Sequence, residues 1–94
     1  MSMPNRTAPD AVSVLLDDGA VVLDMHSKRY YSLNETGACV WNALEEGASD
    51  VDAIARLVRR FDVSDTHAAA AYHRLLGTLR AARLLAQEAD GPDA

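Results

Sequence analysis

Ninety-four residues, 49% hydrophobic and 24% charged, are enough for one soluble globular domain with a modest core and too few for a second. A formal net charge of -5 argues against nonspecific attraction to nucleic acid or anionic lipid. No apolar run approaches the roughly 20 residues a membrane-spanning helix requires. The opening "MSMPNRTAPD" lacks an apolar h-region and a cleavage-like site, so no signal peptide is expected. Cys39 is alone, which excludes an internal disulfide framework and makes the cytoplasm the expected compartment.

The chain divides into three parts. Residues 1–11 carry two prolines and little apolar surface, and read as a flexible N-terminal arm. Residues 12–87 form the domain. Residues 88–94 read as a disordered acidic tail with a Gly-Pro break. No internal repeat is found.

From Val12 to Leu33 the pattern is strand-like. "VSVLL" alternates and is rich in β-branched residues, "DDG" supplies a turn whose glycine can take φ > 0, and "AVVLDM" follows as a second strand. After the short connection "HSK", "RYYSL" is the third. This is a meander of three antiparallel strands.

After Leu33 the period changes. Asn34 is a good N-cap, Glu35 suits the positive end of the helix dipole, and the first helix should stop at Gly47. Ser49 or Asp50 caps a second helix with Val51, Ile54, Val58 and Phe61 on one stripe and Arg56, Arg59 and Arg60 opposite. Ser64 or Asp65 caps a third, whose stripe runs through Ala68, Ala71, Tyr72, Leu75, Leu76, Leu79 and Ala82. Three strands followed by three helices make an α+β fold, winged helix-turn-helix-like in outline.

Catalytic chemistry finds little support. His26, His67 and His73 have no Cys or carboxylate at zinc-ligand spacing and read as surface residues, so no metal and no cofactor are expected. Cys39 lies in an apolar helix with no patterned His and reads as a buried structural thiol. Asp17-Asp18 is turn chemistry, Glu45-Glu46 reads as solvated, and no glycine loop cradles phosphate. DNA binding by a winged-helix regulator is the alternative from another class, and "RLVRRF" is locally basic. A recognition helix, however, needs Arg, Lys, Asn or Gln near its start, and the third helix opens "SDTHAAAAYH".

A peptide-binding module fits better. If "RYYSL" is an edge strand, another chain can add to it by backbone pairing. The third helix would then lie beside the added strand, with Ala68 to Ala71 leaving room for it. The same alanines are also simply good helix formers. Tyr30 and Tyr31 must point to opposite faces of their strand, one onto the helices and one outward. Trp41 reads as core.

The stretch "LLDDGAVVLDMHSKRYYSLNETGACVWNAL" resembles the PqqD-like family, the peptide chaperones of pyrroloquinoline quinone biosynthesis. It is similar too to the stand-alone leader-binding proteins of lasso-peptide clusters. Both belong to the RiPP recognition elements, which capture the leader of a ribosomally made precursor peptide. The likeness covers about Val12 to Leu85. It is most specific at Tyr30-Tyr31-Ser32-Leu33-Asn34, Thr36-Gly37-Ala38 and Trp41, with "AIARLVRRFDV" and "LLGTLRAARLL" in support. Two positions where the family tends to carry glycine hold Lys28 and Arg83 here. The first bears on the turn into the third strand, and the second suggests a last helix one turn longer.

The resemblance implies a non-catalytic protein that binds the leader as an extra antiparallel strand on the third strand, against the third helix. The mapped groove is Arg29, Tyr30, Tyr31, Ser32 and Leu33, with Ala68, Tyr72, Leu75, Leu76 and Leu79. The partners implied are the precursor leader and either a leader peptidase and macrocyclase, favoured here, or a radical SAM enzyme in the quinone case. No nucleic acid and no membrane are expected, and the chain should be a monomer or weak homodimer. The Arg56, Arg59, Arg60 face is a solvated helix face or a dock for such an enzyme.

Overall fold

A computed structural model describes residues 7–85. Its order is β1 (Ala11–Leu16), β2 (Gly19–Asp24), β3 (Arg29–Asn34), α1 (Glu35–Glu45), α2 (Asp50–Phe61) and α3 (Asp65–Ala81). The strands form one antiparallel sheet in the order β1-β2-β3, as the sequence pattern requires.

Register explains which side chains go inward. Ala20 pairs with Leu33 and Val22 with Tyr31, and this face meets the helices. Val12, Val14, Leu16 and Tyr30 belong to the opposite face and are exposed. The core is Val22 with Val40, Trp41, Ala43 and Leu44 of α1, Ala53 and Leu57 of α2, and Ala68, Tyr72, Leu76 and Leu79 of α3. Leu84 and Leu85 close it from beyond α3. Trp41 is fully buried, and its indole N–H has no partner among the described residues. Of the stripe expected on α2, Ile54, Val58 and Phe61 pack partly buried against the core while Val51 is 79% exposed. Ala53 and Leu57, one position away on the helix, are the fully buried residues, so the inward face is turned by about one residue from the reading.

The β1–β2 turn differs from expectation. Asp17 and Asp18 form it alone, while Gly19 already lies in β2 with no positive φ. Glycine is needed there for close approach instead, because a Cβ would collide with the carbonyl oxygen of Leu33. The left-handed position in the next turn falls to Lys28 (φ 65°), whose N–H bonds the Asp24 carbonyl at 2.8 Å.

Each helix starts on a side-chain cap. Asn34, Ser49 and Ser64 accept hydrogen bonds from the backbone N–H groups of Gly37, Asp52 and His67. α1 and α3 end alike. Past α1, Gly47 (φ 78°) donates to Leu44 and Ala48 to Ala43; past α3, Arg83 (φ 61°) donates to Arg80 and Leu84 to Leu79. Both are left-handed C-terminal turns of the Schellman type. The helix therefore does not run on past Arg83, as the missing glycine suggested. It stops, and Leu84 turns back into the core.

The segment Thr7–Ala11, read as part of a flexible arm, is tied down. Thr7 bridges Leu85, the Ala8 N–H donates to the Leu84 carbonyl at 2.8 Å, and Asp10 accepts from Met25 N–H at 2.9 Å. The rest of the expected arm and the acidic tail 88–94 lie outside the described residues. No helix among the described residues is long and apolar enough to cross a membrane.

Candidate functional site

Among the described residues β3 has a neighbouring strand on one side only. Its inner border pairs with β2 from Arg29↔Asp24 to Asn34↔Gly19, and among the described residues no backbone group bonds its outer border. Alternate residues of such a border point N–H and C=O outward, ready for another strand.

α3 runs alongside this border, and hollows open between them at both ends. One, of about 320 Å³, is walled by Asn34, Thr36 and Gly37 at the β3–α1 junction and floored by Leu57, Phe61 and Val63 from α2 and its exit. α3 contributes His67, Ala68, Ala71, Arg74, Leu75 and Thr78 to it. The other, of about 500 Å³, lies between Arg29 and Tyr31 of β3 and Ala81, Ala82 and Arg83 at the end of α3. β3 and α3 thus run in opposite directions, with a hollow at each end of the cleft between them. Its width follows from small residues: a Cβ on Gly37 would come within 3.1 Å of the Leu33 Cβ, and Ala68 and Ala71 put only methyl groups on the helix wall.

The structure separates the residues expected at this site. Arg29, Tyr31, Ala68 and Leu75 line the hollows, and Leu33 packs half-buried between β3 and Gly37. Tyr30, 72% exposed, and Ser32 lie on the opposite face of the sheet, so they offer an added strand their backbone and flank. Tyr72, Leu76 and Leu79 line neither hollow. They are 0%, 5% and 1% exposed and belong to the core, because α3 presents the next stripe round to the cleft. That stripe is His67, Ala71, Arg74, Thr78 and Ala81, spaced by three and four residues. Of these, the sequence places Ala71 beside the added strand and Arg74 at the rim of the groove, and misses His67, Thr78 and Ala81, since polar and small residues on a helix read as its solvent side. It also missed the floor residues Phe61 and Val63.

Electrostatics set the two ends apart. At the Tyr31 end, hydrogen bonding from the Ser27 hydroxyl and the His26 and Ser27 backbone holds the Asp24 carboxyl below its usual range. At the other end no carboxylate lines the hollow at all.

A separate cleft of about 520 Å³ lies between the β1–β2 turn, α1 and α2, lined by Leu15, Leu16, Cys39, Arg56, Arg59 and Arg60 among others. Arg56 pairs with Glu46 at 2.8 Å and with Asp52 at 3.2 Å. Glu45 accepts from the Ser13 hydroxyl at 3.0 Å, so the Glu45-Glu46 pair is engaged rather than merely solvated. Cys39 is half-buried, less so than expected. Burial pushes its thiol up, against the pull of Arg60, Arg56 and Arg59.

Comparison with known proteins agrees with this architecture. The family model described as coenzyme PQQ synthesis protein D (PqqD) matches residues 19–85. The chain belongs to the PqqD family. Two solved structures resemble this PqqD-family chain. TbiB1 in complex with the TbiA(beta) leader peptide superposes with a TM-score of 0.81 at 25% identity, over 90% of this chain and 99% of that one. A lasso peptide synthetase B1 complexed with the leader peptide gives 0.79 at 27% identity, over 89% and 99%. No curated protein matches the sequence significantly.

Proposed function

We propose that this PqqD-family protein captures the leader region of a ribosomally synthesised precursor peptide. The leader adds to β3 as a fourth strand, running antiparallel to it beside α3. One observation carries this reading: among the described residues the outer border of β3 is unpartnered beside a hollow, in a fold shared with two chains that are solved with leader peptides. Backbone pairing fixes the register. An apolar leader side chain enters the hollow over Leu57, Phe61 and Leu75, contributing about 1.5–3 kcal/mol before the cost of ordering the peptide.

The protein itself performs no bond chemistry in this scheme. It holds the leader and leaves the rest of the precursor free for a maturation enzyme. The resemblance to a lasso peptide synthetase B1 favours a leader peptidase and macrocyclase as those enzymes. The family description supports the second reading, a chaperone that presents its peptide to a radical SAM enzyme in quinone biosynthesis. In this reading the protein acts in the cytoplasm.

The test is a titration of the protein with leader peptides from precursors encoded beside its gene, against random duplex DNA as control. Saturable binding to one leader and indifference to DNA is expected. Binding to DNA with no response to any leader would replace this function with that of a winged-helix regulator. Leu75→Glu separates the groove from the rest of the surface, since it places a charge at the hollow; unchanged leader affinity in the folded variant would move the site elsewhere.

A further inference from the structure

Resting on the peptide-groove reading above, we propose that Arg74 selects leaders bearing an aspartate or glutamate on the face of the added strand that meets α3. The chain carries 14 Asp and Glu against 9 Lys and Arg, yet no acid lines the hollow between α3 and the β3–α1 junction. The acids nearest in sequence to its lining residues, Glu35, Asp62 and Asp65, stay out of that lining, and Glu35 lines the separate cleft instead.

Among the described residues Arg74 has no carboxylate partner. Ion pairing on a helix comes from residues three or four positions away. Around Arg74 these are Ala70, Ala71, Gly77 and Thr78, none of them acidic. Arg56 shows the contrast, since Asp52 one turn before it and Glu46 at the C-cap of α1 both hold its guanidinium. Arg74 is exposed, and among the described residues its side chain forms no ion pair. Within its stripe it stands between Ala71 and Thr78, so nothing bulky screens it from a strand laid against the helix.

A planar guanidinium at the centre of a groove wall fits a carboxylate by paired, charge-assisted hydrogen bonds. Side chains of a strand share a face at every second residue, so the acid lies an even number of positions from the apolar anchor. The apolar floor supplies affinity that many peptides can use. Arg74 supplies the discrimination, because a leader with Lys or Arg at that position meets a like charge.

The experiment is selection of a displayed library of random peptides, long enough to span β3, on the wild-type protein and on Arg74→Glu. Wild type is expected to enrich Asp or Glu at even spacing from an apolar residue, and Arg74→Glu to enrich Lys or Arg there instead. A peptide selected on wild type should bind Arg74→Glu at least roughly tenfold more weakly and Arg74→Lys with an intermediate loss. Ala71→Trp, which fills the hollow, should reject every selected peptide whatever its charge. If Ala71→Trp rejects them and Arg74→Glu binds them as wild type does, the Arg74 inference is overturned and the groove stands. If Ala71→Trp still binds them, or no peptide is enriched, the groove reading falls and the inference with it.

Discussion

The hydroxyl of Tyr72 donates a hydrogen bond to the carboxylate of Asp50, joining the middle of α3 to the first turn of α2. Tyr72 is fully buried and Asp50 exposed, so the pair seals one edge of the helical layer from the core outward. In Tyr72→Phe the Asp50 carboxylate regains water, and no buried acceptor is orphaned. The expected cost is therefore modest, about 1 kcal/mol. Urea unfolding followed by the emission of Trp41, the single tryptophan, measures it. Leader affinity should be unchanged, since the ring contributes to the core rather than to the cleft wall.

Lys28 and Arg83 are both left-handed without being glycine or asparagine. A side chain in that region crowds the following carbonyl, and glycine relieves it at some entropic cost in the unfolded chain. Lys28→Gly and Arg83→Gly are each expected to stabilise the fold by about 0.5–1 kcal/mol. Asp62, the left-handed cap of α2 (φ 54°), is the control. Aspartate tolerates the region better, so Asp62→Gly should gain less. Denaturant midpoints of the three variants decide; a loss at Arg83→Gly would mean that its side chain makes a contact worth more than the strain.

These positions also show how far the sequence could be read. The meander, the helices and their caps follow from local signals: alternation in "VSVLL", Asn34 before a changed period, and serines ahead of α2 and α3. The edge character of β3 was legible as well, because "RYYSL" ends the meander and nothing later reads as a strand. What escaped was rotation about the helix axes. A seventeen-residue α3 rich in alanine has several apolar stripes, and only the tertiary contacts show that Tyr72, Leu76 and Leu79 face inward while Ala71 and Leu75 meet the cleft. Arg83 misled for a related reason. Its side chain disfavours a left-handed turn, but burying Leu84 and Leu85 outweighs that local preference.

Cys39 offers a prediction in pH. Partial burial raises its thiol pKa, so at a mildly alkaline pH the folded protein holds less thiolate than the unfolded chain. Alkylation by iodoacetamide should be slower in the folded state than in urea. Removing the positive charge in Arg60→Gln should raise the pKa further and slow the reaction again. The linkage has one sign: stability is fully present below the unfolded pKa and is lost as pH rises through the folded pKa, because across that window unfolding releases the proton. Faster alkylation of Arg60→Gln than of wild type would contradict this electrostatic picture.

Two glycines distinguish close approach from mere tolerance. At Gly19 the β2 backbone lies against the Leu33 carbonyl, and a methyl group has nowhere to go unless β2 and β3 part. At Gly77, on the exposed side of α3, an added Cβ meets nothing within 4 Å. Gly77→Ala removes the unfolded-state entropy of a helical glycine and should stabilise by about 0.5–1 kcal/mol. Gly19→Ala should destabilise by about 2 kcal/mol or more, since backbone must shift to admit it. The displacement falls where β3 meets α1, beside Gly37 and Asn34 in the cleft wall, so leader binding should weaken at temperatures where Gly19→Ala is still folded. Calorimetric melting and leader titration on the same samples separate the two effects, and a Gly19→Ala protein as stable as wild type would show that β2 and β3 are not held this tightly.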